Sequence, residues 1–400
     1  MIGFLGNFRI VKRDAPLGKF YSLGLLCLSF VIALGVSALL LEVQGKPGLH
    51  GIALLLQGGF GTPLEFMTEA RAEGAGFITA LFRGFFWDNY ALADTFLKSI
   101  PIFLCSLGVA VCFYLQVWNI GAEGQFALGA IGGTAVVLWF PNLPSFVMLP
   151  LMFLAASLAG ALWAAIPAIL RERLRTNEII STLMLNYLAI ILLQYLVFGP
   201  WKDPGGMGFP MTSEFPPAAV MPEIFGRVHG GILLCIGAAI ALNIFLNRTR
   251  YGYEILVGGA NPQAAHYAGM RYSAMVIGVM CLCGALAAWA GCLETSATLG
   301  RLRPNVVVGY GYTAIVVAWL ARLRVLRIAA FSLVLAALRV GVEILQLDLG
   351  ISAAFGDMIQ GLILLCMLAG QFPESYRIKR TVREEPEPDR ALSTTGGEAC

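Results

Sequence analysis

The chain is 400 residues long, 58% hydrophobic and only 13% charged, with a net charge of +3 and a mean hydropathy of +0.77. A water-soluble chain carries roughly twice that charge, so the soluble globular classes are excluded. The small positive balance, without basic clusters interleaved with aromatics, leaves no surface for a nucleic acid. What remains is an all-α, polytopic membrane protein.

Arg9, Lys12, Arg13 and Lys19 precede an uncharged run from Ser22 to Leu41. A cleavable leader has an apolar core of about 7–15 residues. This run is longer, and at 1.5 Å per residue it spans about 30 Å, the full hydrocarbon thickness. It reads as an uncleaved first transmembrane helix. Further apolar runs near 94–117, 121–140, 146–170, 179–199, 230–247, 273–293, 306–320, 328–346 and 353–370 bring the expectation to about ten spans. With the N-terminus in the cytoplasm, the links that hold Arg171, Arg173, Arg248, Arg250, Arg322 and Arg324 all fall inside. That satisfies the positive-inside rule with both termini cytoplasmic. Residues 1–21 and 371–400 are then cytoplasmic ends, the latter polar, proline-bearing and expected to be disordered. The long outer segment 42–93 is aromatic and weakly amphipathic, suited to lying along the membrane surface or capping the outer face. Residues 200–229, rich in proline and glycine, read as an irregular loop.

Within the spans, VWNIGAEGQFALGAIGG (117–133) sets Asn119, Glu123 and Gln125 where lipid is otherwise predicted. A carboxylate at that depth costs a few kcal/mol unless protein or water surrounds it. Exposed backbone around the glycines survives only where it lines a cavity, which points to a translocation pathway. RPNVVVGYG (303–311) is a second glycine-interrupted element, again following a span. Paired breaks of this kind allow two inverted five-helix halves. Thr176, Asn177 and Glu178 open the span near 179–199 as a helix cap, with an additional contact to a partner chain as the sharper alternative. Asn186 faces the pathway or bonds another helix, with Tyr187 beside it. Arg339 and Glu343, four apart on one helix face, are expected to form an ion pair. Gly284 with Ala288, and Ala156 with Gly160, mark close helix packing. Phe113, Tyr114, Trp118, Phe126, Tyr187, Trp289 and Trp319 are candidate stacking groups for a solute ring, with none singled out.

The inner link 248–272 contains Asn261 as a helix cap, Pro262 in the first turn and Gly269 as terminator. This spacing predicts a two-turn helix held near the membrane, either a structured loop or an element that fits a partner's groove. Nine cysteines are scattered, mostly in apolar runs, and His50, His229 and His266 lie far apart. No metal or cofactor site is expected. None of Lys12, Lys19, Lys46, Lys98, Lys202 or Lys379 stands in a GxxxxGK[ST] phosphate loop, so no nucleotide hydrolysis is expected of this chain.

WNIGAEGQFALGA, TNEIISTLMLNYLA, GANPQAAHYAGM, GYGYTAIVVAWLARL and QGLILL resemble, in order, the motifs of one family across about residues 92–370. They are similar to the membrane permease subunits of ABC importers for branched-chain amino acids, simple sugars and nucleosides, and most of all to the larger nucleoside permease. The first ninety residues match only in general pattern. The resemblance implies a permease domain over 22–370 in the cell (inner) membrane and a small polar solute, with a purine nucleoside first and simple sugars next. It also implies three partners: a separate ABC ATP-binding subunit, a second permease of a different chain and an extracytoplasmic solute-binding protein. Carried onto this chain, it places Asn261, Pro262, Ala265, Tyr267 and Gly269 at the ATPase contact. The competing reading is a stand-alone ion-coupled transporter that uses Glu123 and the Arg339/Glu343 pair.

Overall fold

The computed structural model describes residues 8–12, 19–61, 89–206 and 208–380. Two units are present: Met1–Ala33 with Leu365–Cys400, and Leu34–Leu364. The helices, in chain order, are α1 (Lys19–Val43), α2 (Gly48–Phe60), α3 (Tyr90–Tyr114), α4 (Ala122–Trp139), α5 (Ser145–Leu174), α6 (Glu178–Phe198) and α7 (Gly231–Arg248). They continue with α8 (Arg250–Ala260), α9 (Pro262–Tyr267), α10 (Tyr272–Leu293), α11 (Tyr310–Leu320), α12 (Val325–Leu349), α13 (Ala353–Ala369) and α14 (Phe372–Ser375). A π-helical turn, Glu294–Leu299, extends α10.

Among the described residues, seven helices, namely α1, α3, α5, α6, α7, α10 and α12, are long and apolar enough to cross a membrane. Of the remaining predicted spans, 306–320 and 353–370 form shorter apolar helices, and 121–140 forms the 18 residues of α4. The run expected to span at 306–320 yields only the 11 residues of α11, about 16 Å and half a hydrocarbon layer. The reason is local: Arg303 and Val307 are extended and Gly309 takes φ +88°, so the helix starts only at Tyr310.

Helix α10 is the hub of the larger unit and packs against α3, α4 and α5. Gly160 on α5 and Gly284 on α10 touch backbone to backbone, and a Cβ on either would collide with the other's carbonyl oxygen. Ala288 fills the next position against Gly160, which realises the small-residue packing expected from the sequence. Between helices in lipid, where no hydrophobic driving force exists, such close approach supplies the dispersion contact that holds the bundle.

Helix α2, in the segment expected to lie along the membrane surface or cap the outer face, packs on α12 and α3, with Gly58 and Gly59 facing Gly341 and Ala337. Thr95 on α3 donates to the Gly59 carbonyl at 2.6 Å, and Asn89 donates to that of Phe60 at 2.9 Å. The aromatic stretch 78–88 lies outside the described residues. Part of the tail expected to be disordered is ordered: β4 (Tyr376–Arg380) pairs antiparallel with β1 (Phe8–Lys12), from Phe8↔Arg380 to Lys12↔Tyr376. YRIKR alternates apolar and basic residues over its first four positions, the two-residue period of a strand, and FRIVK over its first three. Residues 381–400 lie outside the described residues. In the outer loop before α7, β2 (Glu223–Phe225) and β3 (Val228–His229) form a small hairpin.

Candidate functional site

Helix α3 ends at Tyr114, Gln116 adopts a positive φ of 57°, and the chain stays irregular until α4 starts at Ala122. After the π turn, the chain is again mostly irregular until α11 starts at Tyr310. These two starts meet. Gly311 lies so close to the Ala122–Glu123 backbone that a Cβ there would strike the Glu123 nitrogen, and the Phe126 and Tyr310 rings lie 5.8 Å apart. The far end of α11 lies elsewhere: Trp319 stacks on Trp118 at 5.5 Å and meets Phe113 at 6.1 Å. Thus α4 and α11 leave one junction in divergent directions, both with their N-termini, the positive ends of their dipoles, at that junction.

Glu123 occupies this point and is 1% exposed. Its Oε1 accepts from the Gly309 amide at 2.6 Å and its Oε2 from the Gly311 amide at 2.5 Å. An anion at two convergent helix N-termini is where backbone amides and dipoles favour it most. The carboxylate therefore joins the two broken elements.

The other polar residues of the break stitch its backbone. Asn119 accepts from the Gly121 amide at 2.9 Å and donates to Gln125 Oε1 at 3.1 Å. Asn186, on α6, accepts from the Gly124 amide at 2.8 Å and donates to the Ile120 carbonyl at 2.8 Å and to Tyr312 Oη at 3.2 Å. Thr182, one turn earlier on α6, accepts from the Ile120 amide at 3.3 Å. Asn119, Gln125 and Asn186 are all buried. Irregular backbone inside a membrane protein needs such internal partners where it is buried in protein. Tyr187, next to Asn186, is 58% exposed. Tyr312, Trp118 and Trp319 are also exposed on their outer faces.

The expected Arg339–Glu343 pair does not form. Glu343 pairs with Lys98 of α3, while the Arg339 guanidinium sits over the Tyr310 ring, 5.0 Å from its centroid. Tertiary neighbours outcompete the i,i+4 partner, which has the weaker Arg-before-Glu order. Lys98 and Glu294 were not singled out by the sequence reading. Glu294 opens the π turn and lies within electrostatic reach of Lys98, Arg339 and Glu343. Their signal was available, since each is an isolated charge within or at the end of an apolar run.

In the link between α8 and α10, Asn261 Oδ1 accepts from the amides of Gln263 at 3.0 Å and Ala264 at 3.1 Å, capping α9. Pro262 takes the first turn and Gly269, at φ +74°, ends the element. Ala265 is buried, whereas Tyr267 is 92% exposed at the tip. Beside α9 opens a groove of about 1250 Å³ whose lining includes Arg250, Glu254, Gly269 and Arg271. At the start of α6, Asn177 accepts from the Ile179 amide at 2.9 Å, and Arg171 reaches Glu178 at 3.7 Å.

Among the described residues, no group of three or more His, Cys, Asp or Glu is placed to hold a metal ion. Residues 91–368 match the family model for the branched-chain amino acid transport system permease component. The chain is 35% identical over 368 residues to the glucose ABC transporter permease protein TsgB13 of Haloferax volcanii, covering 89% of this chain and 94% of that one. It is 29% identical to the guanosine ABC transporter permease protein NupP of Bacillus subtilis, over 72% of this chain and 83% of that one. With the nucleoside ABC transporter permease protein NupB of Lactococcus lactis the identity is 28%, over 56% of this chain and 60% of that one. A multi-pass helical chain with broken elements joined at mid-bundle, matched by this family's model along most of its length, belongs to the family of branched-chain amino acid transport system permease components.

Proposed function

We propose that this chain is the membrane-spanning permease of an ATP-binding cassette importer and forms, with a second permease, the path of a nucleoside or simple sugar. Relatives named for glucose, guanosine and nucleosides support that solute class. The supporting observation on this chain is the rigid, exposed tip of α9, where Tyr267 projects fully from a helix capped at both ends. Such an element suits the groove of an ATP-binding subunit, with Asn261, Pro262 and Gly269 fixing its shape and buried Ala265 anchoring it. The buried set Asn119, Glu123, Gln125 and Asn186 holds the broken elements that move, and Tyr187 lines the path. A two-state change of the companion ATPase pushes α9, and the bundle passes that displacement to the α4–α11 junction. The pairing of β1 with β4 brings both chain ends together, in keeping with both being cytoplasmic in the cell (inner) membrane. An extracytoplasmic solute-binding protein delivers the solute to the outer face.

The test is uptake of labelled guanosine and labelled glucose by cells that express the full set of subunits or lack only the ATPase. Uptake of one solute class is expected, and it stops when the ATPase is absent. Persistent uptake without the ATPase overturns the reading.

A further inference from the structure

Lys98 on α3, Glu294 where α10 passes into its π turn, and Arg339 and Glu343 on α12 form one cluster of charges within membrane-crossing helices. Charged groups at such positions pair with one another or line a polar path. Two are positive and two negative, so the cluster as a whole is neutral. Its pairing is incomplete. Lys98 takes Glu343, but the Arg339 guanidinium has the face of the Tyr310 ring in place of an acceptor. The Glu294 carboxylate makes no hydrogen bond or ion pair with a described residue, although it lies within electrostatic reach of both cations.

Tyr310 is an independent sign of a ligand. It opens α11, is 2% exposed and lies within electrostatic reach of Glu294, Arg339 and Glu343, yet its hydroxyl bonds no described residue. Glu123, at the neighbouring junction, shows what a structural carboxylate does in this bundle: both its oxygens are taken by backbone amides. Buried polar groups of native proteins are normally satisfied, so a half-bonded set is kept for atoms that come from outside the chain. An occupant can reach these groups. Glu294 and Arg339 are partly exposed, and the free polar atoms of all three residues escape the enclosure that seals the Ser296 hydroxyl of the same π turn. Such π turns are frequent at functional sites.

The chemistry of the three groups selects the occupant. A carboxylate accepts from two adjacent hydroxyls, a guanidinium donates to their oxygens, and a phenol does either. Because Lys98 and Glu343 cancel each other, and Glu294 and Arg339 do the same, neither a cation nor an anion is favoured. A neutral solute with neighbouring hydroxyls is. We propose that Glu294, Arg339 and Tyr310 form a subsite on the solute path that binds adjacent hydroxyls of a neutral sugar or ribose ring. The subsite presupposes the permease reading above and assigns residues to one part of the solute. Glu294 accepts from both hydroxyls, while Arg339 and Tyr310 donate to their oxygens. Tyr310 also touches the α4–α11 junction, its ring 5.8 Å from that of Phe126 and its neighbour Gly311 bonded to Glu123. A shift of α11 therefore withdraws one of the three contacts and helps to release the solute.

The experiment compares uptake of labelled guanosine with that of 2′-deoxyguanosine, and of labelled glucose with its singly deoxygenated forms, by cells carrying the full set of subunits. The solute-binding protein is the same throughout, so its own preference cancels when variants are compared with the wild type. Glu294→Gln keeps the size of the side chain and loses its charge. It is expected to shift the uptake ratio about tenfold towards the deoxygenated solute, the scale of one charge-assisted hydrogen bond. Tyr310→Phe removes only the hydroxyl and is expected to shift the ratio in the same direction by less; it carries the test alone if Glu294→Gln does not reach the membrane. A ratio unchanged in the variants, with uptake still dependent on the ATPase, overturns the subsite and leaves these groups to water. Equal loss of uptake for both forms of the solute, with a lower melting temperature, marks a structural charge network and also overturns it. Uptake that persists without the ATPase overturns the permease reading instead, and wild-type uptake of neither solute overturns both.

Discussion

At the scale of single residues, the buried polar groups divide into those that hold the backbone and those that face outward, and the two kinds predict different phenotypes. Glu123→Ala leaves two amides of α11 without an acceptor in a dry site. The expected loss is about 2–5 kcal/mol, read as a lower melting temperature of the purified transporter. Glu123→Gln keeps one acceptor and recovers part of that loss. Asn186→Leu should cost a similar amount, since it removes the acceptor of the Gly124 amide and the donor to Ile120. Tyr187→Ala, at an exposed position, should leave the melting temperature almost unchanged and lower only the uptake rate; an equal loss of stability would place Tyr187 in the packed core. His229 gives a pH signature. Its burial pushes the imidazole down to about 4, and its Nδ1 accepts from the Gly231 amide at 3.1 Å, which requires a neutral ring. Between that value and the ordinary 6.5, the unfolded chain binds the proton and the folded one does not. Stability is therefore complete above about pH 6.5 and falls as the pH drops towards 4. A melting profile of His229→Gln should be flatter across that window than the wild type's.

At the scale of elements, the two interrupted segments act as a pair. Helices α4 and α11 both begin at the junction, and the repulsion of two positive helix ends is offset by one carboxylate placed between them. Their approach is set by Gly311, where any side chain meets the Glu123 backbone. Gly311→Ala should therefore push the elements apart and cost about 1–3 kcal/mol, the usual penalty of overpacking, with uptake falling further than stability. Helix α9 is a separate, cheaply altered element. Asn261→Ala removes its cap at a cost of about 1 kcal/mol and loosens its shape. Tyr267→Ala removes only the exposed tip, so it should leave the permease folded but weaken co-purification of the ATPase. If the ATPase co-purifies undiminished with both variants, the contact lies elsewhere.

At the scale of the whole molecule, α10 packs at the centre of the larger unit while carrying at its C-terminal end the π turn that leads into the second break. Under the proposed function, movement of the α8–α10 link reaches the junction through this one helix, because α10 follows α9 after a four-residue turn and the Asn119 amide bonds Cys283 Sγ on α10 at 3.1 Å. Packed helices in close backbone contact shift as bodies between discrete arrangements rather than deforming smoothly. A bulky residue at the tightest crossing, Gly284→Leu, should therefore reduce both assembly and uptake, as measured by size-exclusion profile and labelled-solute accumulation.

Much of this was legible along the chain because its causes are local. Span length follows from hydropathy and helix rise, the cap at Asn261 and the stop at Gly269 follow from backbone chemistry, and the motifs from Trp118 to Leu365 carried the family. Even the two breaks were visible, the first as glycines beside an acid in an apolar run and the second as glycines alone. What tertiary structure alone decided were the partners. That Glu123 joins the start of α11, that Glu343 takes Lys98 rather than Arg339, and that α2 packs against α12 all depend on contacts between residues far apart in sequence. In a low-dielectric interior, each polar group goes to whichever partner the packing of helices brings within reach. Spacing along one helix cannot show that choice.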